Sequence, residues 1–82
     1  MGLDASPRHY RSFDQQKMIF ERVLRLREEL GDVYGHAQAQ ARSGSFRVAV
    51  GEGAAGSGLL RRSRRALTVL GREREAARVQ HA

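Results

Sequence analysis

Apolar residues recur at helical spacing through the first half of the chain. From residue 19 onward they fall at intervals of four, three, four, three and four residues, which places them on one face of a helix. This face comprises Ile19, Val23, Leu26, Leu30, Val33 and Ala37. Ser12 and Gln15 have the spacing of a capping box, and Gly31 and Gly35 weaken helix formation further on. The pattern predicts a long amphipathic helix from about Ser12 to about Tyr34.

From Phe46 onward the apolar residues occupy every second position. Phe46, Val48 and Val50 alternate with Arg47 and Ala49, which is typical of a β-strand with one apolar face. We therefore expect a strand over these five residues, with the two valines and the phenylalanine as its buried side.

The segments around this strand are less regular. Residues 37–42 alternate between alanine and polar residues, which is consistent with a frayed helix end or with a weak first strand. Four glycines within residues 51–58 predict a turn. The segment that begins at Leu59 suits either a strand or a helix, and residues 72–81 are typical of a charged helix.

These elements predict an α+β fold, with a long N-terminal helix, a small antiparallel sheet of two or three strands, and a short C-terminal helix. Residues 1–11 lack periodicity and are expected to form a flexible arm, and residues 12–82 a single small domain. A chain of 82 residues buries only about 60–65% of its unfolded surface. It has no cysteine to form disulfides, so we expect a homodimer to add buried area.

The charge is strongly positive: 15 lysine and arginine residues face 9 acidic ones, which leaves a net charge of +6. Such a field attracts polyanions such as nucleic acids. No apolar run approaches the ~20 residues that span a bilayer, and the N-terminus lacks the apolar core of a secretory signal. We expect a cytoplasmic protein without membrane contact.

Arginines cluster around the expected hairpin. If it forms, its outer face gathers cations into a convex surface suited to phosphate backbones, with little sequence information. The predicted nucleic-acid-binding residues are Arg42, Arg47, Arg61, Arg62, Arg64 and Arg65. The alternative interpretation of this run is a solvated surface.

The glycines allow a second interpretation. Gly51, Gly53 and Gly56 match the G-x-G-x-x-G fingerprint directly after the expected strand, as in a truncated dinucleotide-binding βαβ unit. Only twelve residues follow Leu70, too few to extend and cover a parallel sheet. We therefore favour the turn, and predict no bound cofactor.

Catalytic chemistry has little support in the sequence. His9, His36 and His81 are far apart, and none has metal-ligand spacing with a carboxylate. Glu28 and Glu29 are neighbours on a helix and point in different directions. We predict no catalytic residue, no metal site and no enzyme activity.

The order of these features resembles the YbaB/EbfC family of small bacterial nucleoid-associated DNA-binding proteins. The resemblance covers roughly residues 21–82, and its pieces are Leu26 to Leu30, Val33 to Gly35, Ala41 to Gly44, Phe46 to Gly51, and Ala66 to Val79. It implies an α-β-β-β-α protomer, a homodimer, DNA binding of low sequence preference and a nucleoid location. The strands would be residues 37–42, 46–50 and 58–63. The chain departs from the family in its arginine-rich third strand and its shorter last helix.

The sequence thus predicts a homodimer that buries the helical stripe and holds DNA by its arginines. The main alternative is an adaptor or assembly subunit, whose helical stripe docks on a larger protein or ribonucleoprotein. A dinucleotide-binding unit is the second alternative.

Overall fold

The computed structural model describes the backbone of residues 5–79 and the side chains of residues 13–79. Over this range the chain is helical, with successive helices packed side by side in an elongated body of 52 × 28 × 18 Å. The helices are α1 (Ala5–Glu29), α2 (Val33–Ala49), α3 (Gly53–Val69) and α4 (Glu73–Arg78). Because the joining turns are three residues long, each helix runs antiparallel to the one before it.

The same turn joins every pair of helices. Gly31, Gly51 and Gly71 lie at 20-residue intervals and adopt φ values of 70°, 92° and 80°. This left-handed conformation is one that glycine adopts without penalty. In each turn the next amide donates to a carbonyl five residues back, at 2.8–2.9 Å, which closes the preceding helix with a Schellman motif. The chain therefore contains three copies of one helix-ending device.

α2 and α3 approach each other closely at two glycines. A Cβ atom added to Gly44 would lie 2.9 Å from the Gly56 carbonyl oxygen, and one added to Gly56 would lie 2.6 Å from the Gly44 carbonyl oxygen. Further along, the Ser63 hydroxyl donates to the Ala37 carbonyl at 2.6 Å. The two backbones are thus in near contact, and the absent glycine side chains leave room for Leu60 beside Gly44 and Val48 beside Gly56.

The core on either side of this crossing is correspondingly small. Ala37, Leu60 and Leu67 are buried with Ala76 and Val79, so the cluster joins α2, α3 and α4. A second contact joins α1 to α2 through three aromatic rings, with the Phe46 centroid 5.4 Å from that of Phe20 and 6.4 Å from that of Phe13. α2 is therefore packed on two sides, by α1 and by α3.

The predicted α+β fold is wrong, because residues 5–79 contain no strand. The expected strand at 37–42 and residues 46–49 of the next belong to α2, and Val50 is the C-cap of that helix. The expected third strand, at 58–63, belongs to α3. The α-β-β-β-α order implied by the YbaB/EbfC resemblance is absent from this range. Of the expected elements, the long N-terminal helix and the short C-terminal helix are present.

The alternation at Phe46 has a different cause from the one expected. Phe46 packs on α1, whereas Val48 lies against Gly56 of α3. A helix held between two neighbours needs apolar residues on two faces, and such a pattern loses the single-stripe period of 3.6. The strand preference of valine and phenylalanine is weaker than this packing.

The predicted domain limits relate to the helices as follows. α1 includes residues 5–11, which were expected to form the flexible arm, and residues 1–4 lie outside the described part of the chain. Residues 80–82, at the end of the expected single domain, also lie outside it.

We predict opposite effects of alanine at two glycines of α3. Gly58→Ala should raise the free energy of unfolding by up to about 1 kcal/mol, because no atom lies within 4 Å of the added Cβ and alanine favours helix. Gly56→Ala should lower it by roughly 1–2 kcal/mol, because overpacking against α2 outweighs that gain. Urea unfolding followed by circular dichroism measures both. Equal stabilisation by the two substitutions would contradict the close crossing.

Candidate interaction site

A groove of about 740 Å³ lies along one side of α2 and is lined by residues of all four helices. α1 borders it at one edge and α4 at the other, and we call it the inner groove. Its apolar lining includes Phe20, Leu60, Leu67 and Val79, and its polar lining is Gln38, Arg42, Ser45, Glu75 and Arg78. A concave surface with apolar walls and a few convergent polar groups is the usual form of a binding site.

The inner groove continues onto the apolar side of α1. A smaller depression of about 290 Å³ between α1 and α2 shares Phe20, Gln38 and Arg42 with it. This depression adds Ile19 and Val23 from α1. The α1 side of the groove is therefore apolar, whereas α2 and α4 contribute both apolar and polar groups to its lining.

A polar cluster fixes α4 to α2 at the far edge. The Tyr34 hydroxyl donates to the Glu75 carboxylate, at 2.7 Å from Oε1 and 2.9 Å from Oε2. The Gln38 amide donates to the same carboxylate at 3.2 Å and to the Tyr34 hydroxyl at 3.1 Å. The Arg72 guanidinium lies 4.2 Å from the centroid of the Tyr34 ring, in cation–π geometry. These contacts hold a helix of only six residues in place.

The hydrogen bonds of this cluster determine the protonation states of the Glu75 carboxyl and the Tyr34 hydroxyl. The hydrogen bond from Tyr34 lowers the pKa of Glu75, more strongly than desolvation raises it. The same hydrogen bond raises the pKa of Tyr34. Glu75 is therefore an ionised acceptor and Tyr34 a neutral donor at physiological pH.

The groove presents net positive charge. Arg42 and Arg78 line it together with one carboxylate, that of Glu75. The Glu75 carboxylate already accepts hydrogen bonds from two side chains. Among the ion pairs of residues 13–79, neither Arg42 nor Arg78 takes part. Both guanidinium groups are exposed and available to an anionic ligand.

The arginines predicted to bind nucleic acid lie in three separate places. Four of them form a group on α3, where Arg61, Arg62 and Arg65 are exposed and Arg64 is half-buried. We call these four residues the arginine face. Three of them line an open depression of about 540 Å³ against α4. Arg42 lies in the inner groove instead.

Arg47 has a structural role in this fold. It is half-buried and forms ion pairs with Glu21 of α1 at 3.2 Å and with Glu52 at 3.0 Å. Glu52 also accepts a hydrogen bond from Lys17 of α1 at 2.9 Å, which lowers the pKa of the Glu52 carboxyl. This network joins α1 to the turn between α2 and α3. The six predicted arginines are therefore not brought together on one surface.

The histidines and the glycine fingerprint noted in the sequence are not part of a metal or nucleotide site in the described part of the chain. Within residues 13–79, no group of three or more histidine, cysteine or acidic side chains is placed to hold a metal. His36 lies on α2, and the side chains of His9 and His81 lie outside the described ones. Of the fingerprint glycines, Gly53 and Gly56 are in α3, with no preceding strand in the described chain. No described helix has the length and apolar character of a transmembrane span.

Sequence reasoning missed the residues that build the inner groove. Tyr34, Gln38, Glu75 and Arg78 were assigned no role, because their proximity depends on how α4 folds back onto α2. The signal that predicts this folding is the recurrence of an aliphatic residue followed by glycine, at Leu30, Val50 and Leu70.

Comparisons of the chain with protein-family models, with curated proteins and with solved structures find no match. Function is therefore inferred from the groove and the arginine face themselves.

Removal of the Tyr34 hydroxyl should loosen α4. We expect Tyr34→Phe to lower the thermal midpoint by a few degrees at neutral pH and to raise the pKa of Glu75. A lowered carboxyl pKa stabilises the fold above the ordinary value of 4.5, and this stability is lost as pH falls through the folded-state pKa. The midpoint difference between wild type and variant should therefore shrink near pH 3. Circular dichroism measures the thermal midpoint, and NMR titration of the carboxyl group measures the pKa of Glu75.

The matched control for this variant is Glu28→Gln, which removes an exposed carboxylate of α1 far from Tyr34. It should leave the pKa of Glu75 unchanged. A midpoint difference for Tyr34→Phe that is the same at neutral pH and near pH 3 would contradict the role given to the ionised Glu75.

Proposed function

We propose that this protein is a helical adaptor that binds an acidic amphipathic segment of a partner protein in the inner groove. The observation that carries this proposal is the groove itself, with its apolar α1 side and two guanidinium groups, Arg42 and Arg78, that form no salt bridge within residues 13–79. It is the surface of the described chain that best combines concavity, apolar area and directed charge.

The architecture supports an adaptor. α2 and α3 are helices of 17 residues each, and all the helices are joined by one repeated turn. Stacked helices with repeated connections are the construction of α-solenoids, in which successive helices form an extended concave binding surface. The inner groove resembles such a surface, since residues of α2, α3 and α4 line it and α1 lies at its border.

The lining of the groove indicates the chemistry of its ligand. Phe20, Ile19 and Val23 offer apolar contact along one side, which suits the apolar face of a helix laid in a groove. Arg42 and Arg78 are positioned to pair with carboxylates on the flank of that helix, and arginine binds carboxylates in bidentate geometry. A basic ligand would instead meet like charge.

The proposal predicts selective binding of a designed probe. The probe is a fluorescent peptide of about 18 residues, or roughly 27 Å of helix, with leucines along one face and glutamates on the flanks. The comparison peptide carries lysine in place of each glutamate. We expect the acidic peptide to bind at least about tenfold more tightly, as measured by fluorescence anisotropy, because like charges across an interface are unfavourable.

Charge reversal in the groove tests where this probe binds. The double variant Arg42→Glu/Arg78→Glu should invert the preference between the two peptides. The matched control, Arg61→Glu/Arg65→Glu, makes the same charge change on the arginine face and should preserve that preference. Equal binding of both peptides by the wild type, or an unchanged preference in the groove variant, would refute the proposal.

A second function, binding of DNA through phosphate contacts, is supported by the arginine face. Arg61, Arg62 and Arg65 are exposed within five residues of one helix, and the whole chain has a net charge of +6. Clustered guanidinium groups bind phosphates with high affinity and little sequence preference. The location expected for this function is the bacterial nucleoid.

DNA binding through this face predicts a specific salt dependence. Affinity for a short duplex should fall steeply between about 50 and 200 mM salt. Replacement of Arg61, Arg62 and Arg65 with alanine should reduce the slope of log K against log salt by about 0.9 for each phosphate that the variant no longer neutralises. Arg42→Ala/Arg78→Ala is the control and should leave the slope unchanged. Salt-insensitive binding would rule out this function.

A further inference from the structure

We infer that two copies of this chain associate through an antiparallel pairing of their α1 helices. The contact surface is Ile19, Val23, Leu26 and Leu30, which we call the α1 stripe. This inference goes beyond the proposed function, because it concerns self-association. Ile19 and Val23 also line the apolar side of the groove, so the second copy and the peptide compete for these two residues.

The α1 stripe is largely uncovered within one chain. Ile19 is 53% exposed, Leu26 51% and Leu30 69%, whereas Val23 is half-buried. α1 contacts α2 through other residues, chiefly Phe13 and Phe20. Three of the four aliphatic side chains are therefore left largely uncovered by the chain itself, along the second half of α1 and the residue that follows it.

The spacing of the stripe suits a second helix. Its members are separated by four, three and four residues, which is the alternation that places apolar residues along the seam of a coiled coil. In an antiparallel pair, Val23 of one copy lies opposite Leu26 of the second copy. The same register sets Ile19 opposite Leu30 of the second copy, so the twofold axis generates four apolar layers.

Charges beside the stripe are complementary in this register. Arg22 and Glu29 each precede a stripe residue, and therefore lie on the same flank. In the antiparallel pair, Arg22 of one copy meets Glu29 of the second copy, and the twofold axis repeats the contact. Both side chains are exposed, and neither takes part in the ion pairs of residues 13–79.

A parallel pair lacks this complementarity. There the flank that carries Arg22 faces the opposite flank of the second helix, where the nearest charged residue is Arg27. Two arginines would face each other, and Arg27 is already held by Asp32 at 2.7 Å. Charge pairing along α1 therefore selects the antiparallel orientation.

The interface is small, so the association is weak and reversible. Four side chains from each copy bury less than the roughly 1,200 Å² of a stable specific complex. We expect dimerisation within a range of about 10 to 500 µM, where analytical ultracentrifugation of the full chain measures it. Leu26→Ser should abolish it, and circular dichroism checks that the variant remains helical.

Charge exchange tests the register. Arg22→Glu and Glu29→Arg should each weaken the dimer roughly tenfold, because two attractive contacts become repulsive. The double variant Arg22→Glu/Glu29→Arg should restore wild-type dimerisation. The matched control is Arg25→Glu, which makes the same change on α1 away from the stripe and should have little effect. A dimer insensitive to all of these changes would overturn the inference.

Label distances test the orientation. The chain contains no cysteine, so Gln15→Cys provides one site per copy for a spin label. In the antiparallel pair two such labels lie about 28 Å apart along the axis, at about 1.5 Å per residue. A parallel pair would hold them within roughly 10–15 Å. The short distance, or a monomer at all concentrations, would refute the pairing, whereas peptide binding in the groove would be unaffected.

Discussion

The near contact of α2 and α3 at Gly44 and Gly56 is the constraint on which the rest of the structure depends. With carbonyl oxygens this close to the opposite glycine, neither position has room for a Cβ atom. The core is therefore displaced toward α4, where Leu60 and Leu67 meet Ala76 and Val79. A thin core of this kind leaves one side of α2 open. That open side is the floor of the inner groove.

The charges of the chain are distributed by the same arrangement. Residues between helices pair their charges, as Arg47 does with Glu21 and Glu52. Residues on open surfaces keep theirs available, as Arg42 and Arg78 do in the groove. On α3, Arg61, Arg62 and Arg65 of the arginine face are exposed, whereas Arg64 is half-buried. The net charge of the chain therefore does not distinguish three kinds of arginine: those in ion pairs between helices, those in the inner groove and those on the arginine face. Their positions in the fold do.

Sequence could predict the parts of this fold whose apolar residues follow one helical stripe. α1 was predicted because its apolar residues follow a single stripe. α2 and α3 were not, because Phe46 and Val48 contact different neighbours, and because glycines that serve close packing at 44 and 56 look like turn residues. The cationic character of the arginines was evident from the sequence. The groove was not, since Tyr34 and Glu75 are 41 residues apart and meet only through the repeated turns.

The three turn glycines have a consequence for how such a chain can change in length. No atom lies within 4 Å of a Cβ placed on Gly31, Gly51 or Gly71. Glycine is therefore needed at these positions for its left-handed backbone conformation and not for close packing. The conformation of each turn, with the helix end it closes, is consequently independent of the side chains around it; we call each such turn a joint. A helix and its joint form a module of 20 residues. Because neighbouring helices are antiparallel, two such modules must be duplicated or deleted together for the later helices to keep their direction.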